Sequence, residues 1–235
     1  MGTDVPKQFL PLAGVPVLVR TLLALQRSPV IDEIFLAVPA EDVPAVRGGM
    51  VEQYGLVKVT AVLAGGGERQ ESVGNALRRV RDDHEIVLVH DAVRPFVPPD
   101  LIGRVVTAAR EHGAAAAGIP VRDTVKRVGG DRVVVTTVER EGLWLAQTPQ
   151  AFSRRIILAA YERAIRDGCV ATDDASLVER MGGAVRIVTG SLDNIKITTP
   201  EDLAAAESIL SRQPPDEPAE GRRIAGGEDA DRVRL

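Results

Sequence analysis

The chain has little of what several functional classes require. A single cysteine, Cys169, stands among 235 residues, so it can form no intrachain disulfide and supply no cysteine-type zinc site. A reducing cytoplasm suits such a chain, and that is the expected location. The three histidines, His84, His90 and His112, lack the close helical spacing that puts two imidazoles on one face of a zinc protease helix. Aromatic residues amount to 3%, too few for a stacking platform on single-stranded nucleic acid. Acidic residues outnumber basic ones by 33 to 29, whereas a nonspecific phosphate-backbone footprint needs a clustered basic surplus. Nucleic acid is therefore not an expected partner. No apolar run approaches a membrane span, and the opening MGTDVPKQFL lacks the apolar centre of a signal peptide, so no membrane partner is expected either.

What the chain does have is core material: 45% of residues are apolar and 26% charged, enough for one large domain, expected over residues 1–210. Short β-branched or small-residue runs bounded by turn residues read as buried strands at 33–39 (EIFLAVP), 57–65, 85–92 (EIVLVHDA) and 114–121 (AAAAGIPV). Helical periods lie between them at 16–28, 69–83 and 99–113, with Leu18, Thr21, Leu22 and Leu25 along one face of the first. This alternation predicts an α/β fold, a mostly parallel sheet with helices on both faces, whose ligands bind beyond the strands' carboxyl ends. From about 121 to 142 two β-rich runs flank Gly129, Gly130 and Asp131, the pattern of a hairpin arm suited to a dimer contact. Further helices are expected at 153–168, from Thr172 or Asp173, and from Thr199, where Thr199 caps, Pro200 opens the helix and acid fills the first turn. Residues 211–235, rich in Pro, Gly and charge, read as a disordered tail.

Three places carry candidate chemistry. In PKQFLPLAG, Lys7 precedes an apolar run; alone it reads as readily as a solvated charge. In VLVHDAVRPFV a continuous apolar strand ends in Asp91, followed by Arg94. A carboxylate at that rim can hold a magnesium-bound phosphate or a hydroxyl, or simply pair with Arg94 across the turn. Burial of the charge without function or partner is costly, which favours function. In LAGGGERQESV, Gly65, Gly66 and Gly67 follow a strand and open a helix, where amides attract anions; a plain turn is an equal reading. Later segments place Thr124, Arg140, Thr172 and Lys196 beside short polar turns, each bland taken singly.

The order of PKQFLPLAG, GGGERQESV, VLVHDAVRPF, PVRDTVKR, TVEREGLWLAQTPQAF, TDDAS and DNIKITTPEDL resembles that of the 2-C-methyl-D-erythritol 4-phosphate cytidylyltransferase family, over about residues 3 to 210. The resemblance implies a nucleotidyltransferase with a Rossmann-like core, Mg2+ as cofactor, CTP and methylerythritol phosphate as substrates, and a homodimer joined through the β-arm. It implies that Lys7 stabilises triphosphate charge in the transition state, that Asp91 sits at the substrate and magnesium edge, and that Arg140 and Lys196 position methylerythritol phosphate. Arg94, Thr124 and Thr172 then line that pocket, while Gly66, Gly67 and Ser72 contact cytidine.

PKQF and DAVRPF are also compatible with a ribitol 5-phosphate cytidylyltransferase, but VRDTVKR and GLWLAQTPQ favour methylerythritol phosphate. A remnant that only binds nucleotide or dimerises is the alternative outside catalysis. Family members begin with an apolar strand and a glycine-rich loop ahead of the segment written here GTDVPKQF, so the resemblance places the true start upstream of Met1. In a Rossmann-like order that strand is central, and without it two interior strands are expected to keep unpaired edges.

Overall fold

A computed structural model of the chain describes residues 6–212. The residues before Pro6 lie outside the description, as does the expected tail apart from Ser211 and Arg212, which complete the last helix.

The chain opens with a 3-10 turn at Lys7–Phe9 and a small antiparallel pair, β1 (Pro11–Leu12) and β2 (Val15–Pro16), joined through Ala13 and Gly14 at positive φ. Pro16 leads into α1 (Val17–Gln26), which buries Leu18, Leu22 and Leu25 on one stripe as the 3.6-residue period requires. Strand β3 (Ile34–Val38) alternates buried and half-buried residues; α2 (Val43–Val46) leads by way of a π-helical segment to β4 (Val59–Ala64). Then come α3 (Arg69–Leu77), β5 (Ile86–Val89), α4 (Pro99–His112) and β6 (Ala114–Pro120). The arm is β7 (Val125–Val128) with β8 (Val134–Val138), and the remainder is β9 (Trp144–Ser153), α5 (Arg154–Arg166), α6 (Asp174–Arg180), β10 (Arg186–Thr189) and α7 (Pro200–Arg212).

Helix α3 ends earlier than its pattern suggested. Beyond Leu77 the sequence offers arginines rather than core residues, and Arg81 turns to Glu33 at 2.6 Å and Asp83 at 3.1 Å instead of extending a helix. Helix α7 starts as expected: Asp202 N–H donates to Thr199 Oγ1 at 3.3 Å while the Asp202 carboxylate accepts from Thr199 N–H at 2.8 Å, a reciprocal cap.

The larger sheet has the order β10-β6-β9-β5. β10 and β6 are parallel, and β9 runs antiparallel to both β6 and β5, so three of the four strands share one direction. β9, like the short β1, β2 and α2, was not revealed by periodicity, because its inner half, from Gln147 to Phe152, is buried on both sides and does not alternate polar with apolar. Sequential residues face opposite layers: Ala115, Ala117 and Ala151 pack toward α1 and α4, whereas Ala114 and Phe152 pack toward α5 and α6. Alanines in β6 keep the covering helices close, and Gly113, at φ 87°, ends α4 so that the chain turns directly into the strand.

β3 and β4 form a separate parallel pair. No strand among the described residues pairs with the other edge of β3 or of β5. A cavity of about 730 Å3 lies beside both, walled by α1 and α3 side chains as well as by the two strands. Among the described residues no helix is long and apolar enough to cross a membrane.

Phe152 is fully buried at the centre of the second layer. Phe152→Ala is expected to lower unfolding free energy by about 3–5 kcal/mol, read as a reduced urea midpoint at unchanged slope; a loss below about 1 kcal/mol would contradict this packing.

Candidate active site

The strand β5 stops at Val89, and the chain then turns through His90, Asp91 and Ala92. Asp91 N–H donates to Thr148 Oγ1 at 3.0 Å, which ties this turn to β9. Its carboxylate, only 10% exposed, is ringed by cations: Arg69 Nε lies 3.1 Å from Oδ1, and Lys196 Nζ and Arg94 Nε lie 3.0 Å and 3.5 Å from Oδ2. Burial pushes the carboxyl upward, but Arg69 and Lys196, helped by Arg94, outweigh it and bring its pKa down to about 2. The adjacent His90 is also shielded; burial lowers its pKa to about 4, and Nε2–H, in the neutral tautomer, donates to the Arg94 carbonyl at 3.1 Å.

The cations are held from behind. Arg94 Nη1 donates to the Asn194 carbonyl at 2.7 Å, and Asn194, fully buried, donates from Nδ2 to the Thr148 carbonyl at 2.8 Å. The flanking apolar residues lock both loops into one cluster: Val93 and Phe96 on either side of Arg94, and Ile197 next to Lys196, pack with Leu12 and Ile209. Ile197 N–H donates to the Val93 carbonyl at 2.9 Å. The backbone at Lys196 is thereby held beside the Asp91 turn.

The third loop follows β4. Gly66 N–H donates to Ser72 Oγ at 3.0 Å and Gly67 N–H to Glu71 Oε2 at 2.8 Å. The amides that the glycines expose are thus satisfied by side chains of α3 itself, and a ligand oxygen reaching them would replace those bonds. A Cβ on Gly66 would meet Glu71 Cβ at 2.3 Å, so the close approach of loop and helix requires glycine there.

Lys7, Ser72, Asp91 and Lys196 line one cavity together with Arg69, and Arg94 stands behind Asp91. The other named residues lie elsewhere. Thr124 and Arg140 are exposed at the base of the arm, where the Arg140 guanidinium donates to the Arg122 carbonyl; Thr172 is exposed just ahead of Asp173, which caps α6 by accepting from Ser176 N–H at 3.0 Å. Arg69, Thr148 and Asn194 were not singled out from sequence. Arg69 did carry a signal: a cation in the first turn of a helix opposes the macrodipole, so it needs an anionic partner. Asn194 and Thr148 carried none, since their role depends on chain segments 46 residues apart.

Loops after β4, β5 and β10 therefore converge, as ligand-binding loops do beyond the carboxyl ends of an α/β sheet. An α/β core with cations gathered round a rim carboxylate suits phosphorylated ligands, and the class it belongs to, the nucleotidyltransferases, is shown by its family. A family model described as IspD, 2-C-methyl-D-erythritol 4-phosphate cytidylyltransferase, matches residues 1–212, and the chain belongs to this family. A 2-C-methyl-D-erythritol 4-phosphate cytidylyltransferase of Syntrophus aciditrophicus is 51% identical over 213 residues, 91% of each chain. The protein of that name from Geobacter metallireducens is 47% identical over 218 residues, 92% of this chain and 94% of the relative. Among solved structures, the 4-diphosphocytidyl-2C-methyl-D-erythritol synthase of Anaerococcus prevotii superposes with a TM-score of 0.80 at 32% identity, covering 90% of this chain and 92% of its own. The Thermus thermophilus cytidylyltransferase gives 0.75 at 37%, covering 88% and 94%.

Because the folded pKa of Asp91 is depressed from 3.8 to about 2, its ion pairing contributes stability that is complete above about pH 4 and is lost as pH falls toward 2. Asp91→Asn should therefore be less stable than the parent at pH 7, and the gap should close by about 2 kcal/mol between pH 4 and 2 in urea titrations. A gap independent of pH over that window would refute the assignment.

Proposed function

We propose that the cavity beside Asp91 holds CTP, as its magnesium complex, and 2-C-methyl-D-erythritol 4-phosphate, and that one displaces pyrophosphate from the other. A phosphate oxygen of the polyol phosphate attacks the α-phosphorus of CTP in line; the new P–O bond forms as the bond to the bridging oxygen breaks, giving 4-diphosphocytidyl-2-C-methyl-D-erythritol and pyrophosphate. No covalent enzyme intermediate is needed. The observation that carries this reading is the convergence of Lys7, Lys196 and Asp91 on one cavity, with Arg69 and Arg94 around the same carboxylate. Catalysis then rests on positioning and on fixed positive charge opposite the phosphates. Lys7 takes the triphosphate side and Lys196 the polyol phosphate side, with Arg94 supporting Asp91 from behind; Gly66, Gly67 and Ser72 take the cytidine, and Thr172, which does not line the cavity, is assigned no contact within one protomer.

Magnesium fits as an ion carried by the nucleotide. Among the described residues no group of three or more His, Cys, Asp or Glu could hold a metal, and Asp91 offers one carboxylate already facing three cations. Such a rim disfavours a bare divalent ion and suits one mostly coordinated by phosphates, which Asp91 would help to hold. The metal supplies charge neutralisation on the triphosphate.

The arm gives the reading its quaternary side. Val128, Val133, Val134 and Val135 are all more than half exposed on it, as is Leu145 at its root, apolar side chains that a partner could cover. We infer a homodimer in which the arm of one protomer reaches its partner and brings Arg140 and Thr124 toward the partner's polyol phosphate. A lone reduced cysteine agrees with a cytoplasmic enzyme.

The test is pyrophosphate release from CTP and methylerythritol phosphate by purified protein. Lys7→Ala and Arg140→Ala are each expected to lower turnover about 100- to 1,000-fold, or about 3 kcal/mol, with unchanged far-UV circular dichroism; near-parental rates in both would remove these roles. Val135→Asp should shift the protein from dimer to monomer in sedimentation velocity, and an unshifted dimer would remove the arm from the interface.

A further inference from the structure

Arg69 touches two carboxylates at once. Its Nε meets Asp91 Oδ1 at 3.1 Å and its Nη2 meets Asp174 Oδ2 at 2.8 Å. Asp174 is 1% exposed, at the start of α6, and its other oxygen accepts from the Tyr161 hydroxyl of α5 at 2.5 Å. Nothing in the transfer chemistry needs this second, buried carboxylate. An apolar side chain of similar size would pack there without the desolvation cost of a buried charge. Its consequence is geometric: once Nη2 of a planar guanidinium is held by Asp174, the direction of the Nε–H in the same plane is set as well. That direction is Asp91 Oδ1, which leaves Oδ2 for Lys196 and Arg94.

We propose that Arg69 is a positioning residue: anchored by the buried Asp174–Tyr161 pair, it holds the orientation of the Asp91 carboxylate, and through it Lys196, for the transfer reaction. The three helices α3, α5 and α6 are thereby coupled to the rim, since Arg69, Tyr161 and Asp174 come from one each. The inference rests on the cytidylyltransferase reading for its kinetic consequence and on geometry alone for its structural one. It is distinct from direct substrate binding by Arg69, whose side chain is one-third exposed to the same cavity; the two roles separate in the kinetics.

Arg69→Gln, Arg69→Lys, Asp174→Asn and the Arg69→Gln/Asp174→Asn double variant test it. For Arg69→Gln, kcat should fall about 100-fold with KM for both substrates within about threefold of the parent. Lysine should not restore it, because an ammonium on a flexible stem lacks the fork that grips both acids. Asp174→Asn should lower kcat about tenfold, and the double variant should be no slower than Arg69→Gln alone, the non-additivity of two residues acting through one contact. A crystal structure of Arg69→Gln should show the Asp91 carboxylate rotated away from its parental contacts. The proposal is overturned by a loss confined to KM, by multiplicative losses in the double variant, or by an unmoved Asp91. If the parent protein converts no CTP with methylerythritol phosphate, the functional reading fails, while the Asp91 comparison between parent and variant crystals still decides the role of Arg69.

Discussion

The site is organised around one carboxylate that is kept charged in a place where burial alone would neutralise it. Asp91 stays ionised because Arg69 from the start of α3, Arg94 from its own turn and Lys196 from the loop after β10 reach it, and those cations are in turn kept near one another by the carboxylate between them. Two anions, Asp91 and Asp174, lie among three cations, so the cluster holds one uncompensated positive charge. A rim of that kind is self-consistent without ligand and still carries positive charge toward phosphorylated ones.

The fold exists in this region to hold those loops still. Apolar residues adjacent to the charged ones do most of that work: Val93 and Phe96 bracket Arg94, Ile197 follows Lys196, and all three are buried with Leu12 and Ile209. Buried amides close the remaining gaps, with Asn194 linking β9 to Arg94 through its own carbonyl and side chain. The charges are therefore fixed by their apolar neighbours and by backbone groups, and only secondarily by one another.

Family membership and geometry bear on different questions. The match over residues 1–212 and the relatives near 50% identity establish which family the chain belongs to. They do not say why Arg69 stands in the first turn of α3, against the macrodipole, or why a carboxylate is buried beneath it. Those features become intelligible only when the contacts are seen, and they place the orientation of Asp91 under the control of three helices.

Most elements were legible from local pattern, because hydrophobic period, Gly and Pro punctuation and helix caps are properties of neighbouring residues: β3, β4, the arm with its turn at Gly129 to Asp131, and the start of α7 at Pro200 all follow from it. Lys7, Asp91, Arg94 and Lys196 were legible as charges at the ends of such elements. β9 was not, since burial of both faces erases the alternation that marks a strand. Nor were Asn194, Thr148, Asp174 and the bridging role of Arg69, because each acts through a residue at least 13 positions away in sequence. The sequence by itself determined the order of strands and helices and which charges stood beside loops; the tertiary structure alone decided which of them share one cavity and which carboxylate they share, because contact energies depend on distance in space and chain order does not fix that distance.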